Sequence, residues 1–281
     1  MWTADNESAA RALRVRIRSL QSLFPDTAFA MRDGLLCAGG ELSMDLLLAA
    51  YGLGVFPWYN EGEPVLWWSP APRCVLPLDA YHLPRRAARA IRRAGFALTL
   101  DRAFPAVISL CARLRAAHEG TWITRAVERS FNELHQAGFA HSVEAWRSGR
   151  LVGGLYGVAI GRAFFGESMF HLESEASRAC LAALVDLLRL RGATLLDCQQ
   201  ETPHIMAQGG VTIPRRAFQE ALARAQALDC ASPDALTREY AAEPGILRAL
   251  WPFLPWRSRY RREADAWIPV PMDDMEGVPG M

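Results

Sequence analysis

The sequence contains no lysine, so all thirty-one of its basic residues are arginines. Its six cysteines form no C-x-x-C pair, and no histidine lies near them at the spacing of metal ligands. We therefore expect reduced, mostly buried thiols and no metal site. No apolar run approaches the roughly eighteen residues that a membrane-spanning helix needs, and the N-terminus has no apolar leader. These absences predict a cytoplasmic protein with no membrane partner.

Nucleotide-binding loops are also missing. The stretch "GGLYGVAIG" (153–161) lacks the strand-turn-helix context of a dinucleotide fingerprint, and no Walker sequence is present. We assign these glycines to strands and turns, and expect no cofactor. What the sequence does contain is 51% hydrophobic residues in 281, which is enough to bury a full core.

The first 71 residues are expected to form a small N-terminal domain. Ser43 predicts the N-cap of a helix that Gly52 or Gly54 ends. Residues 60–77 are rich in proline and aromatic residues and are interpreted as an irregular connection, with a domain boundary near residue 72.

The larger second domain is expected over residues 72–228. It begins with helical patterns, which cover 84–94, 104–116 and 124–137. Three antiparallel strands follow from residue 139, joined by Ser-Gly and Ile-Gly-Arg turns.

The rest of this domain is expected to complete the same sheet. An amphipathic helix ending at Gly192 precedes the strand "ATLLDCQ" (193–199), a short helix near 203–208 and a last strand "VTIPRRAF" (211–218). This order predicts an α+β fold with a mostly antiparallel mixed sheet. Residues 229–281 are expected to form an irregular tail, frayed or disordered at its end, and the protein is expected to be a monomer.

One predicted helix, "PRRAARAIRRAG" (84–95), has a strongly basic face. A rotation of about 100° per residue places its arginines within one arc and its alanines and Ile91 opposite. The face is either solvated or binds phosphate, and five cations without an acid favour phosphate as the sharper hypothesis. The five are Arg85, Arg86, Arg89, Arg92 and Arg93.

The strand "LLDCQ" (195–199) ends in polar residues. Because side chains alternate along a strand, Asp197 and Gln199 are expected to share one face, and Cys198 the other. Cys198 is interpreted as a buried small residue, since no base is placed to activate it. Asp197 is either a cap, half of a buried salt bridge, or a functional acid.

Two further groups of residues stand out. Glu167 lies in the otherwise apolar strand "FFGESMF" (164–170), where burial is costly unless the acid is paired or functional. We also expect a β-bulge near Gly166, next to Glu167 and Met169. Tryptophans in loops are either core anchors or platforms that stack on an unpaired base, namely Trp58, Trp67, Trp68 and Trp122.

The motifs together resemble a known family. "FPWY", "WWSPAPR", "GTWIT", "AHSVEAW", "LVGGLYGVAIGRAFFGESMF", "ASRA", "LLDCQ" and "IPRRAF" occur in this order over residues 23–225. They are similar to those of the leucyl/phenylalanyl-tRNA protein transferases. The resemblance implies transfer of Leu, Phe or Met from aminoacyl-tRNA to the α-amine of proteins with N-terminal Arg or Lys, which marks them for degradation. It also implies that the larger domain has a GNAT-like acyltransferase fold.

The resemblance further implies roles for individual residues. The acid and amide of "LLDCQ" match the family's catalytic pair, and the acid of "GESMF" lies near the aminoacyl group. Catalytic roles thus fall on Asp197, Gln199 and Glu167. The aminoacyl side-chain pocket is expected from Leu155, Gly166, Met169 and Leu184. The terminal adenosine is expected to contact Trp58, Trp122 and Phe131, and the tRNA acceptor stem Arg85, Arg89, Arg92 and Arg93.

Several positions depart from the family pattern. A pocket Met is replaced by Leu155, a Tyr by Phe131, and an aromatic lining residue by Leu184, while "HIMAQGG" (204–210) replaces the usual H-x-x-S-L-G. These changes leave the preference among Leu, Phe and Met open. Two alternative functions are an acyl-CoA-dependent N-acyltransferase, although the pyrophosphate loop of such enzymes is missing, and a non-catalytic tRNA-binding relative.

Overall fold

The computed structural model describes residues 4–117, 120–227, 260–263 and 266–269. Eight α-helices and twelve strands lie within these ranges. The helices are α1 (Ala4–Gln21), α2 (Met44–Gly52), α3 (Arg85–Ala94), α4 (Phe104–Ala116), α5 (Arg125–Gln136), α6 (Ala176–Leu190), α7 (Pro203–Met206) and α8 (Arg215–Gln226). The strands are β1 (Leu35–Ala38), β2 (Phe56–Pro57), β3 (Leu66–Trp68), β4 (Arg73–Val75), β5 (Ala97–Leu100), β6 (Ala140–Arg147), β7 (Arg150–Ile160), β8 (Ala163–His171), β9 (Leu195–Gln199), β10 (Val211–Ile213), β11 (Tyr260–Glu263) and β12 (Ala266–Pro269).

A nine-stranded sheet in the order β10-β4-β9-β8-β7-β6-β5-β11-β12 forms the body of the molecule. Among the described strands, every neighbouring pair is antiparallel except β8 and β9. That parallel pair requires a crossover, which α6 supplies between the two strands. The predicted α+β class with a mostly antiparallel mixed sheet is confirmed.

Hydrophobic cores cover both faces of this sheet. On one face α6 packs with Leu184 and Leu188 against residues such as Leu155. On the other face α2, α4 and α5 pack around Tyr156 and Phe165. The small sheet β1-β3-β2 joins this second core through Trp67 and Phe56.

The local predictions hold for most elements. The Ser43 hydroxyl accepts a hydrogen bond from the Leu46 backbone N–H and caps α2 as expected. The basic helix is α3, and Gly95 ends it with a φ of 63°. The boundaries between residues 71 and 72 and between 228 and 229 stay predictions.

Three stretches differ from the prediction. The connection expected to be irregular over 60–77 contains β3 and β4, which are only three residues long and so carry little periodicity. The last strand stops at Ile213, and "RRAF" instead opens α8, because Pro214 ends the β10 ladder and its fixed φ suits a helix start. The tail expected to be irregular includes the hairpin β11-β12, which pairs with β5. Residues 270–281 lie outside the described residues.

No helix within the described ranges is long and apolar enough to cross a membrane.

Candidate active site

A cavity of about 450 Å³ opens where β8 and β9 stop pairing. Their hydrogen-bonded register ends at Phe165 and Asp197, although β8 continues to His171. A cavity of this size lies within the roughly 300–1,000 Å³ of sites that hold small ligands.

The inner wall of the cavity is apolar. Leu155 of β7, Met169 of β8 and Leu184 of α6 line it together with Gly166, so the structure brings together all four residues predicted for the aminoacyl pocket. At Gly166 an added Cβ would lie 3.5 Å from the carbonyl oxygen of Asp197, an ordinary contact. The wall can therefore hold an aliphatic or aromatic side chain.

Glu167 sits on the cavity wall at a β-bulge. Tyr156 pairs with Ser168 and Gly157 with Gly166, which leaves Glu167 as the extra residue and confirms the bulge expected near Gly166. One carboxylate oxygen, Oε1, accepts a hydrogen bond of 2.8 Å from Nε2 of Gln199. The other, Oε2, is buried without a partner in hydrogen-bond geometry among the described residues, although the Tyr51 hydroxyl lies close enough to lower the pKa of Glu167 against the effect of burial.

Burial raises the pKa of Glu167 to about 8, and the nearby charge of Asp197 acts in the same direction. This acid therefore changes its charge close to neutral pH, unlike an exposed glutamate. A carboxyl group with such a pKa can accept or return a proton under physiological conditions.

Gln199 does not share a face with Asp197, which corrects the alternation argument. Its φ of 64° lies in the left-handed region, so the extended backbone ends there. The side chain of Gln199 lines the cavity and reaches Glu167. The Asp197 carboxylate is fully buried and is not on the cavity wall. It instead accepts a 2.8 Å hydrogen bond from the Gln199 backbone N–H, and so holds the turned residue in place.

Arg73 is a functional candidate for which the sequence predicted no role. Its guanidinium donates to both carboxylate oxygens of Asp197, from Nε at 2.9 Å and from Nη2 at 2.6 Å. The rings of Phe56 and Phe218 lie 4.9 and 4.4 Å from the guanidinium carbon and enclose the ion pair. Its place in the motif "WWSPAPR" could have marked Arg73 as a candidate. The sequence could not show its partner, because Asp197 lies 124 residues away.

Cys198, which was expected to be buried and to face away from Gln199, is half-buried and lines the cavity next to it. The neighbouring Cys74 thiol and burial raise the pKa of Cys198 well above its usual range. A thiol in that state is a poor nucleophile. This supports its interpretation as a packing residue.

Of the three aromatic residues predicted to contact adenosine, two lie on the cavity wall. Trp58 is 42% exposed and Trp122 is half-buried, so both rings are within reach of a ligand. Phe131, in contrast, is completely buried and packs edge-on against Tyr51 and Tyr156. It can influence the cavity only through those neighbours, because it is not on the wall.

The four arginines predicted to bind tRNA lie on α3, away from the cavity wall. Their side chains are exposed, whereas Ala87 on the same helix is buried. They are Arg85, Arg89, Arg92 and Arg93. Within the described residues, no group of three His, Cys, Asp or Glu side chains could hold a metal ion.

Residues 75–223 match the model of the leucyl/phenylalanyl-tRNA protein transferase family, and residues 40–71 match the model of that family's N-terminal domain. A conserved protein of unknown function from Staphylococcus epidermidis has a TM-score of 0.29 and 12% identity, covering 48% of this chain and 66% of that one. A likeness at that level carries no conclusion.

Curated relatives match most of the chain. The leucyl/phenylalanyl-tRNA protein transferase of Desulfatibacillum aliphaticivorans is 52% identical over 200 residues, which are 71% of this chain and 86% of that protein. The protein of the same name from Chromohalobacter salexigens is 46% identical over 234 residues, covering 83% and 85% of the two chains. The chain belongs to the leucyl/phenylalanyl-tRNA protein transferase family.

Proposed function

We propose that the protein is an aminoacyltransferase that moves Leu, Phe or Met from aminoacyl-tRNA to the α-amine of proteins with N-terminal Arg or Lys. The observation that carries this proposal is the Glu167 and Gln199 pair beside an apolar pocket, in a chain of this family. The pocket accepts the aminoacyl side chain, and the polar pair handles the amine.

The apolar wall sets which aminoacyl group fits. Leu155, Met169 and Leu184 offer flexible aliphatic surface, and Gly166 keeps the space beside Asp197 open. Trp58 and Trp122, at the same cavity, stack on the terminal adenosine that carries the ester.

The reaction is attack of the α-amine nitrogen on the ester carbonyl carbon. A peptide bond forms, the bond to the ribose oxygen breaks, and the ribose hydroxyl leaves with a proton. An α-amine has a pKa of about 8, close to the pKa of about 8 that burial gives Glu167. Because the two pKa values are close, Glu167 accepts the amine proton and returns it to the leaving ribose oxygen.

Gln199 orients the same amine. Its Nε2 is occupied by Glu167, while its side-chain carbonyl oxygen has no hydrogen-bond partner among the described residues and can accept from the amine. Asp197 is a positioning residue, since it touches the backbone of Gln199 rather than the cavity. Arg73 in turn fixes Asp197. Because the ester is already activated, such alignment supplies much of the rate.

The exposed arginines of α3 hold the acceptor stem through its phosphates, which requires no particular base sequence. Charged tRNA is a cytoplasmic reactant, so the reaction belongs in the cytoplasm. The crossover helix between β8 and β9 and their diverging ends support a GNAT-like arrangement for the larger domain. The monomeric state stays a prediction.

The changes to Phe131 and Ala207, which suggested a non-catalytic relative, both lie off the cavity wall. Neither therefore removes a group that faces the aminoacyl ester. The polar pair that the transfer needs is complete.

Transfer of labelled Leu, Phe or Met from each charged tRNA to a peptide beginning with Arg tests the proposal. The same peptide with an acetylated N-terminus is the control and must receive no label. Absence of transfer from all three charged tRNAs would contradict the proposal. Saturable binding of acetyl-CoA would then favour an acyl-CoA-dependent enzyme.

Binding of tRNA tests the role of α3 separately. In Arg89→Ala plus Arg92→Ala, the slope of log affinity against log salt is expected to decrease by about two, since roughly one counterion is released per phosphate contact. Arg113→Ala plus Arg125→Ala, on α4 and α5, removes two exposed charges elsewhere and should leave the slope in place.

A further inference from the structure

A second cleft, of about 770 Å³, lies on the far side of α7 from the cavity. His204 and Ile205 of α7 line the first cavity, whereas Met206 and the turn up to Gly209 line the second cleft. The opposite wall is the inner side of α3 and the loop before it. The second cleft therefore lies between the basic helix and the proposed site of transfer.

Polar groups on the wall of this cleft lack partners. Tyr81 is 8% exposed, and its buried hydroxyl has no hydrogen-bond partner among the described residues. The side-chain oxygen of Gln208 is also buried without a partner. Leaving such groups unpaired costs free energy, so native proteins usually supply a partner from water or a ligand. Burial raises the pKa of Tyr81 to about 12, which keeps the phenol protonated as a donor.

The charge of the cleft favours an anion. Arg86 and Arg178 lie on its wall with one acid, Glu175. That carboxylate already pairs with Arg178 at 2.7 Å, whereas Arg86 is exposed and has no ion pair among the described residues. A basic N-terminal side chain of a protein substrate would be repelled here. A phosphodiester suits Arg86, and the edge of a base suits Tyr81 and Gln208.

We propose that this cleft binds the single-stranded nucleotides that precede the terminal adenosine of the aminoacyl-tRNA. Arg86 pairs with a phosphate there, and the Tyr81 hydroxyl and Gln208 amide hydrogen-bond a base. The inference rests on the proposed function, which places the stem at α3 and the aminoacyl adenosine in the cavity. A strand that joins those two positions passes the cleft between them.

Two small donors isolate the contribution of the cleft. One is a phenylalanyl adenosine, and the other is a phenylalanyl trinucleotide ending in cytidine, cytidine and adenosine. We measure kcat/KM for transfer from each to an Arg peptide and take the ratio of trinucleotide to adenosine. A ratio well above one is expected for the wild type.

Two variants should lower that ratio. Tyr81→Phe removes one hydroxyl and is expected to lower it about fivefold, the size of one neutral hydrogen bond. Because the Arg86 side chain is exposed, the Arg86→Gln variant should fold normally. It is expected to lower the ratio about tenfold, the size of one charge-assisted hydrogen bond. Arg113→Gln, an equivalent charge loss on α4, should keep the wild-type ratio.

The inference is overturned if the wild-type ratio is near one, or if the variants lower kcat/KM for both donors equally. It is also overturned if the variants raise the peptide KM with either donor, because the cleft would then hold the protein substrate. If the wild type transfers from neither small donor nor full charged tRNA, the proposed function itself fails.

Discussion

Two buried glutamates of one sheet, Glu167 and Glu144, differ in what surrounds them. Burial raises the pKa of both, to about 8 for Glu167 and about 7 for Glu144. Glu144 on β6 accepts hydrogen bonds from the hydroxyls of Thr99 and Ser142, each at 2.5 Å, and from the Ala103 N–H at 3.2 Å. Glu167 accepts one hydrogen bond, from Gln199, lies near the Tyr51 hydroxyl and has a cavity beside it.

A raised pKa therefore does not by itself mark a functional acid in this protein. Glu144 has its hydrogen bonds satisfied in closed packing and does not line the described cavities. Glu167 combines the raised pKa with a position on the wall of an open cavity. The following variants test whether substitutions around Glu144 change mainly the stability of the fold, and substitutions around Glu167 mainly the rate of transfer.

The largest effect is expected from Asp197→Asn. This change leaves the Arg73 guanidinium buried without its anion, which should lower the free energy of unfolding by about 3–5 kcal/mol. Transfer should fall further than the loss of folded protein explains, because the new Asn amide N–H faces the Arg73 Nη2 donor, and the side chain that displaces to avoid it holds the Gln199 N–H less firmly. Urea unfolding and kcat/KM of the folded fraction measure the two effects.

Asp101→Asn is the matched control in the closed region. Asp101 is buried and accepts hydrogen bonds from the Ser142 N–H and from the His141 ring. Its loss should lower stability and leave kcat/KM per folded molecule near the wild-type value. If Asp101→Asn reduced transfer as much as Asp197→Asn, the two regions would not differ as we infer.

Glu144→Gln should change how stability depends on pH. Because the folded pKa lies above that of an exposed glutamate, the folded protein keeps this proton longer. The wild-type free energy of unfolding therefore falls as pH rises from about 4.5 to 7, by up to about 3 kcal/mol from this group. The variant should lack that part of the slope in denaturation at several pH values.

Glu167→Gln should change how transfer depends on pH. Below pH 8 the wild-type log kcat/KM should rise with a slope of about two, since both Glu167 and the peptide amine must lose a proton. The variant should show a slope of about one, from the amine alone. An unchanged slope of two would mean that another group is the base.

The smallest effect is expected from alanine at two glycines, Gly166 on the cavity wall and Gly157 on the neighbouring strand β7. Gly166→Ala places its methyl at an ordinary 3.5 Å from protein atoms, so the variant should fold normally and lose about tenfold in transfer with Phe-tRNA through the smaller pocket. Gly157→Ala would place Cβ 2.2 Å from the carbonyl oxygen of Phe165 and should instead lose stability. Thermal unfolding and transfer rates distinguish the two.

Local signals were sufficient for much of the fold. The Ser43 cap, the basic face of α3 and the turns of the β6-β7-β8 meander all follow from residues close together in the chain. The short strand β4 and the helix α8 escaped because three residues show no periodicity and Pro214 was taken as part of a strand.

Local sequence patterns were not sufficient to predict the geometry of the site. Alternation failed at Gln199, because a left-handed residue turns its side chain into the cavity. The Arg73 and Asp197 pair joins strands that are distant in sequence, and Phe218 of the unforeseen α8 covers it. Phe131 was expected at the ligand, yet its burial depends on α2 and β7, which no local pattern specifies.

The most direct test of the account compares Glu167→Gln with Glu144→Gln in the transfer of phenylalanine from charged tRNA to an Arg peptide. Loss of a general base typically costs about a hundredfold or more, so kcat/KM should fall by that factor in Glu167→Gln. Glu144→Gln, measured per folded molecule, should stay within about twofold of the wild type, because surrounding bonds hold its site closed. Equal losses in both variants, or full activity in Glu167→Gln, would contradict the account.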